Sequence, residues 1–226
     1  SFSKFLSYFS PTCVLSLHND PGRGIEVFRK SKDVFAFINQ KQGNTAWVVQ
    51  KYIEKPLLFK GRKFDIRVWV LVTNKHEVLF YRHGYMRTSS DQYDPKDSNN
   101  YVHLTNNCLQ QFGENYGKFE DGNTLSLELL ADYIKQCYPD HNVNFEQHIV
   151  QRMKDIIIDT FLAWKRCLNI NNRKHCFELF GYDFLIDEDL RTWLLEVLSY
   201  FFQTSSYNFD QINTNPYLGV ANDYIA

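Results

Sequence analysis

The sequence predicts an α+β fold of antiparallel sheets with packed helices, and three stretches carry that prediction. Residues 180–186 (FGYDFLI) and 192–197 (TWLLEV) are β-rich runs joined by a short polar turn, the pattern of a hairpin. Residues 62–72 and 78–86 repeat that pattern across the turn at 73–77, and residues 144–168 carry apolar side chains at helical spacing. A hairpin turn centred on residues 188–190 sets Asp183 opposite Glu196. Alternation then places Tyr182, Phe184, Ile186, Trp193, Leu195 and Val197 on a core face. Asp183 and Glu196 share the other face, flanked by Leu185 and Leu194. Like charges directly opposite destabilise a sheet by about 0.2–1 kcal/mol. Something positive belongs between them, and Mg²⁺ would serve because hard cations take carboxylate oxygens. Two solvated acids on an exposed face are the other reading.

At 226 residues the chain makes one large domain or two intimate lobes. With 25 basic and 26 acidic residues, no global field directs it to nucleic acid or a membrane. Aromatics at 16% indicate a folded chain. Cys13, Cys108, Cys137, Cys167 and Cys176 are odd in number and contain no C-x-x-C pair, which suggests reduced thiols in a cytosolic protein. No apolar run approaches a membrane span. The start lacks Met and a basic leader, as expected for the middle of a longer chain.

Taken in order, residues 1–20 show no sustained period and are left unplaced. Residues 21–28 (PGRGIEVF) read as a glycine-rich turn entering a short strand. There Arg23 and the flanking glycines could meet phosphate oxygens, or form an ordinary turn. Residues 31–39 suit a short helix or turn. Residues 47–53 form a β-type run stopped by Glu54, Lys55 and Pro56, either a core strand or a linker between lobes. In residues 61–72, Phe64, Ile66, Val68, Val70 and Val72 line one face and Lys63, Asp65 and Arg67 the other. Charges on a strand often face water, yet Trp69 and Leu71 continue that side. The partner strand ends at Arg87. Residues 101–107 read as a short strand into a turn whose Thr105 and Asn106 either cap the backbone or hold a ribose or phosphate. Residues 124–137 read as a helix with Leu125, Leu129, Leu130, Tyr133 and Ile134 inward. The helix at 144–168 begins with a capping box, Asn144 and Gln147.

Together these motifs resemble the tubulin–tyrosine ligase-like family, ATP-grasp amino-acid ligases that modify tubulin tails. The matching stretches are 49–56 (VQKYIEKP), 62–67 (RKFDIR), 87–90 (RTSS), 103–106 (HLTN), 180–184 (FGYDF) and 193–197 (WLLEV), in the family's order and spacing. The resemblance implies an ATP-grasp-like fold whose N-terminal lobe is missing or incomplete here. It implies that Arg23 and Gly24 belong to the loop over the triphosphate, and that Gln50, Lys51, Tyr52 and Ile53 hold adenine. Lys63, Asp65, Thr105 and Asn106 match further ATP contacts. Arg67 and Arg87 match arginines that hold the reacting carboxylate, the acyl phosphate and the incoming amino acid. Asp183 and Glu196 match magnesium ligands, with an Asn two residues after that Glu as the third. The implied cofactors are ATP and Mg²⁺. The implied partners are tubulin tails or microtubules and a free amino acid (glutamate, glycine or tyrosine), with no nucleic acid and no membrane. The implied location is the cytoplasm and cytoskeleton, extending to a cilium or basal body.

Two departures accompany the match. Residues 198–212 (LSYFFQTSSYNFDQI) separate Glu196-Val197 from Asn213-Thr214-Asn215-Pro216, and removing those fifteen residues restores the family's run. They read as an insertion that moves Asn213 from its place beside Glu196. Residues 13–20 lack the phosphate-binding lysine expected before the glycine-rich loop. The expected organisation is therefore an unplaced segment at 1–20 and a partial ligase domain at 21–226, interrupted at 198–212. Its expected activity is ATP-dependent joining of an amino acid to a tubulin tail carboxylate. The alternative is a catalytically inactive relative that binds microtubules or a partner protein.

Overall fold

The computed structural model describes residues 13–17, 25–28, 30–40, 47–139 and 143–200. The chain divides into two units, one of residues 1–64 and 88–123, the other of residues 65–87 and 124–226. The class is α+β with antiparallel sheets, as expected.

In the first unit, β1 (Cys13–Leu17) lies between β2 (Glu26–Phe28) and β3 (Trp47–Lys51), antiparallel to both. No period is legible in residues 1–20, so this strand shows only through its partners. Helix α1 (Ser31–Gln40) supplies the fully buried Val34, around which Phe28, Phe37, Ile38, Trp47 and Val49 pack. The short strand β4 (Leu58–Phe59) pairs with the start of β5 (Arg62–Thr73). Residues 101–107, expected as a short strand into a turn, instead begin within a one-turn helix α2 (Asn100–His103). The Asn99 side chain accepts from the Tyr101 amide at 3.0 Å and starts that turn. Asn106 does the same for α3 (Asn107–Gln110), accepting from the Cys108 amide at 2.9 Å.

In the second unit the strand order is β7-β6-β5-β8-β9, with β6 at Val78–Thr88, β7 at Thr124–Ser126, β8 at Phe177–Ile186 and β9 at Thr192–Tyr200. Strands β5 and β6 both cross the boundary between the units. Residues 124–126 pair with β6 rather than opening a helix. Ser126 becomes the N-cap of α4 (Leu127–Cys137), and the later start turns Leu127, Leu130 and Ile134 inward while Leu129 faces solvent. Asn144 caps the long helix through the Gln147 amide at 3.1 Å, as the capping box implies. A π-helical turn at Glu146–Val150 leads into α5 (Gln151–Trp164), which ends before the expected Leu168. Its Trp164 meets Phe180 edge-on at 5.5 Å, and Thr160 hydrogen-bonds the Tyr182 hydroxyl at 2.9 Å. Ile66, Val68, Val70, Met153, Ile157, Phe161, Phe180 and Phe184 are buried core residues of this unit.

The hairpin β8–β9 pairs Asp183 with Glu196, as expected, but it carries a bulge. Phe184 lies opposite Leu194 and Leu185 opposite Trp193, so β9 holds one extra residue, Leu195, between paired positions. Past the bulge the face assignment therefore reverses. Leu194 joins the core side with Phe184, and Trp193 joins Leu185 and is substantially exposed. The turn fixes this register. The Asp187 carboxylate accepts from the amides of Asp189 (3.0 Å) and Arg191 (2.9 Å) and from the Trp193 indole (2.8 Å). Asp187→Ala is expected to cost about 3 kcal/mol, because three donors lose one acceptor and each such bond contributes roughly 1 kcal/mol. Urea denaturation of the pure variant checks it. Beyond Glu196, the ladder runs on through Leu198, Ser199 and Tyr200, the first three residues of the expected insertion.

Candidate active site

Three neighbouring strands of the second unit bring the central charges into one row. Arg67 on β5 lies opposite Asp183 on β8, and Asp183 lies opposite Glu196 on β9. A strand places alternate side chains on one face, so Asp65 and Arg67 follow each other toward that row. Asp65, Arg67 and Asp183 are 4–5% exposed, which rules out a solvated charged face.

The Arg67 guanidinium grips Asp183 with two bonds, Nε to Oδ1 and Nη2 to Oδ2, the latter at 2.9 Å. Arg87, from the end of β6, bridges the two acids: Nε donates to Asp65 Oδ1 at 2.6 Å and Nη2 to Asp183 Oδ2 at 2.8 Å. Two arginines and two aspartates thus neutralise one another out of water, which isolated ions could not survive. Burial alone would raise the Asp183 carboxyl, but Arg87 and Arg67 overcome it and hold the group below the ordinary aspartate range. Burial likewise opposes the Arg87 charge, and Asp65 and Asp183 more than offset it.

Glu196 behaves differently. It is exposed, and among the described residues no lysine or arginine forms an ion pair with it. Partial desolvation raises its carboxyl above the ordinary glutamate range, and Asp183 raises it further, against the pull of Arg67 and Arg87. The sign for stability follows from linkage. A carboxyl raised in the folded state contributes stability that is present at low pH and lost as pH climbs through the folded value. Glu196→Gln is therefore expected to raise the melting temperature at neutral pH, with the difference vanishing on acidification. Paired thermal melts from pH 4 to 8, with no divalent cation added, check both halves.

The donor set fits a divalent cation. Asp183 Oδ2 accepts two N–H groups and Oδ1 one, so Oδ1 keeps a lone-pair direction while the guanidiniums stay bound. Glu196 opposite offers a carboxylate engaged in no ion pair among the described residues. Among the described residues no group of three or more His, Cys, Asp or Glu gathers. The expected third ligand, Asn213, lies outside the described residues, as do Arg23 and Gly24.

The first unit holds the other sequence-predicted residues. Gln50 and Lys51 end β3 and face solvent; Ile53 is half-buried and Tyr52 buried. The Lys63 ammonium donates to the His103 carbonyl oxygen at 2.8 Å and to the Tyr52 hydroxyl at 3.3 Å. Thr105 is buried, and Asn106 spends its side chain on capping α3.

Sequence reading missed two buried networks here. Arg62 forms a bidentate pair with Glu120 (2.6 and 2.8 Å) and donates to Thr88 Oγ1 and the Ser89 carbonyl. Gln110, fully buried, accepts from the Ser90 amide and hydroxyl and donates to the carbonyls of Tyr101 and Leu104. Only the long-range pairing reveals either.

The fold and this cluster define an α+β protein whose second unit sets paired arginines beside paired carboxylates on an antiparallel sheet. The chain belongs to the tubulin-tyrosine ligase family, whose model matches residues 13–200. It is 37% identical over 184 residues to tubulin glycylase 3C of Tetrahymena thermophila, covering 79% of this chain and 17% of that protein. It is 35% identical over 187 residues to the tubulin monoglycylase TTLL3 of Homo sapiens, covering 78% and 23%. To the probable alpha-tubulin polyglutamylase Ttll1 of Tetrahymena thermophila it is 34% identical over 189 residues, covering 78% and 44%. The chain thus spans less than half the length of these curated relatives.

Proposed function

We propose that this chain carries the catalytic centre of an ATP-dependent carboxylate–amine ligase acting on tubulin tails. The observation that supports it most is the row Arg67–Asp183–Glu196, with Arg87 bridging Asp65 and Asp183. A carboxylate is a poor electrophile. In the proposed reaction its oxygen attacks the γ-phosphorus of ATP, ADP departs, and an acyl phosphate forms. The amine of a free amino acid then attacks the acyl carbon, phosphate leaves with the C–O electrons, and the nitrogen loses a proton.

Arg67 and Arg87 are fixed before any ligand arrives, so their positive charge needs no reorganisation as charge builds on the transferred group. Asp65 and Asp183 keep each guanidinium aimed and charged. Asp183 and Glu196 would hold Mg²⁺, with Asn213 as the proposed third ligand; when bound, it neutralises the triphosphate. Gln50, Lys51, Tyr52, Ile53, Lys63, Asp65, Thr105 and Asn106 are proposed nucleotide contacts, with Arg23 and Gly24 over the triphosphate.

Glycine is the first amino acid to test, because most of the relatives named above are glycylases; glutamate and tyrosine follow. The proposed location is the cytoplasmic cytoskeleton, and among the described residues no helix is long and apolar enough to cross a membrane. The inactive alternative draws on one observation, that β9 continues into Leu198–Tyr200 where an Asn is expected. Mass spectrometry of tubulin incubated with the chain, ATP, Mg²⁺ and each amino acid separates the two. A mass increment of one residue on a tail peptide supports the ligase. Tubulin binding with no increment from any of the three contradicts it.

A further inference from the structure

We infer that the side chains of Tyr52 and His103 form a cradle that positions the Lys63 ammonium for a nucleotide phosphate. The role of Lys63 rests on the proposal above; the cradle itself rests on geometry within the first unit.

All three residues are buried, at 4%, 3% and 8% exposure for Tyr52, His103 and Lys63. A buried ammonium needs acceptors. Lys63 finds the His103 carbonyl at 2.8 Å, the Tyr52 hydroxyl at 3.3 Å and the Tyr52 ring face at 4.5 Å. Tyr52 therefore offers one cation both its oxygen and its π face. The His103 ring in turn fixes Tyr52. Its Nδ1 lies 2.8 Å from the Tyr52 hydroxyl and its Nε2 lies 2.8 Å from the Asp97 carbonyl oxygen. A carbonyl only accepts, so Nε2 carries the ring proton, and a neutral ring then presents Nδ1 as an acceptor to Tyr52. The two rings meet edge to face at 5.5 Å. Tyr93 closes the far side, with its ring edge-on to His103 at 5.9 Å and its hydroxyl donating to the Glu54 carbonyl at 2.9 Å. The Tyr52 hydroxyl and the His103 ring are thus positioning groups: each acts through Lys63.

A double-mutant cycle on the full chain tests this, with ATP affinity measured by calorimetry for the wild type, Tyr52→Phe, Lys63→Met and the double variant. Tyr52→Phe keeps the ring and removes the oxygen; it is expected to weaken ATP binding about tenfold, the loss typical of one hydrogen bond to a charged group. The double variant is expected to bind no more weakly than Lys63→Met, since the hydroxyl acts only through the ammonium. His103→Leu should mimic Tyr52→Phe, and His103→Asn, whose amide oxygen can occupy the Nδ1 position, should recover most of the loss. Multiplicative losses in the double variant, or wild-type affinity in Tyr52→Phe, would overturn the cradle.

A second readout needs no nucleotide. Acylation of the free protein by acetic anhydride, read by mass spectrometry, reports how tightly each ammonium is held. Tyr52→Phe is expected to raise labelling of Lys63 several-fold relative to exposed Lys135; an unchanged ratio overturns the cradle even in a chain that binds no ATP. Absence of ATP binding by the wild type, with the labelling increase intact, overturns the nucleotide reading and leaves the cradle standing.

Discussion

Asp183→Ala is expected to lower the unfolding free energy by about 3–5 kcal/mol, the range for removing one member of a buried ion network. Three N–H groups from Arg67 and Arg87 converge on this carboxylate, which is 5% exposed. The loss should depend on pH in a defined direction. A carboxyl lowered in the folded state contributes stability that is present above the ordinary aspartate range and lost as pH falls through the folded value. The gap between wild type and variant should therefore shrink on acidification. Asp183→Asn keeps the shape and removes the charge, so it should fall between the two. Chemical denaturation at several pH values reads all three proteins. Comparison with Glu196→Gln then separates folding from chemistry, because that neighbour contributes no neutral-pH stability, so its replacement costs the fold nothing while removing a proposed metal ligand.

The second large effect is expected in the first unit. Glu120→Ala should cost about 3–5 kcal/mol, because it strips the bidentate partner from Arg62, a guanidinium 2% exposed. Arg62 keeps Thr88 and the Ser89 carbonyl, and the Phe119 ring lies 4.5 Å from its guanidinium carbon. None of these carries a full negative charge. Replacing both members, Arg62→Met with Glu120→Leu, should recover much of the loss, because a buried pair often exceeds an apolar pair of similar volume by little or nothing. A double-mutant cycle by urea denaturation gives the coupling, expected to be strongly non-additive.

Much of the site was readable in the chain because a strand has a strict period. Once residues 62–72 and 180–197 are strands, Asp65 and Arg67 must share a face and Asp183 must meet Glu196. What sequence left out is what tertiary context decides. The bulge at Leu195 adds one residue to one strand and leaves composition untouched, so the faces of Trp193 and Leu194 could not be assigned beforehand. Residues 101–103 have β-type side chains, yet the Asn99 cap makes them a helical turn. Strand β1 shows no period of its own, and its place comes from pairing on both sides. Arg62 stands in the RKFDIR stretch with no role assigned, and its partner Glu120 lies 58 residues away. Sequence also suggested a cation between Asp183 and Glu196, whereas Arg67 and Arg87 already supply positive charge to Asp183. The remaining need lies at Glu196, whose proton is held too tightly for an ordinary glutamate.

That makes divalent-cation binding the sharpest test. Titration of the full chain with Mn²⁺ in the presence of ATP, followed by electron paramagnetic resonance, should show a site that tightens with nucleotide. Glu196→Gln should lose it while staying folded and, without the cation, melting above the wild type at neutral pH. Equal Mn²⁺ affinity in wild type and Glu196→Gln would contradict the assignment of the Asp183–Glu196 pair as the metal end of a ligase centre.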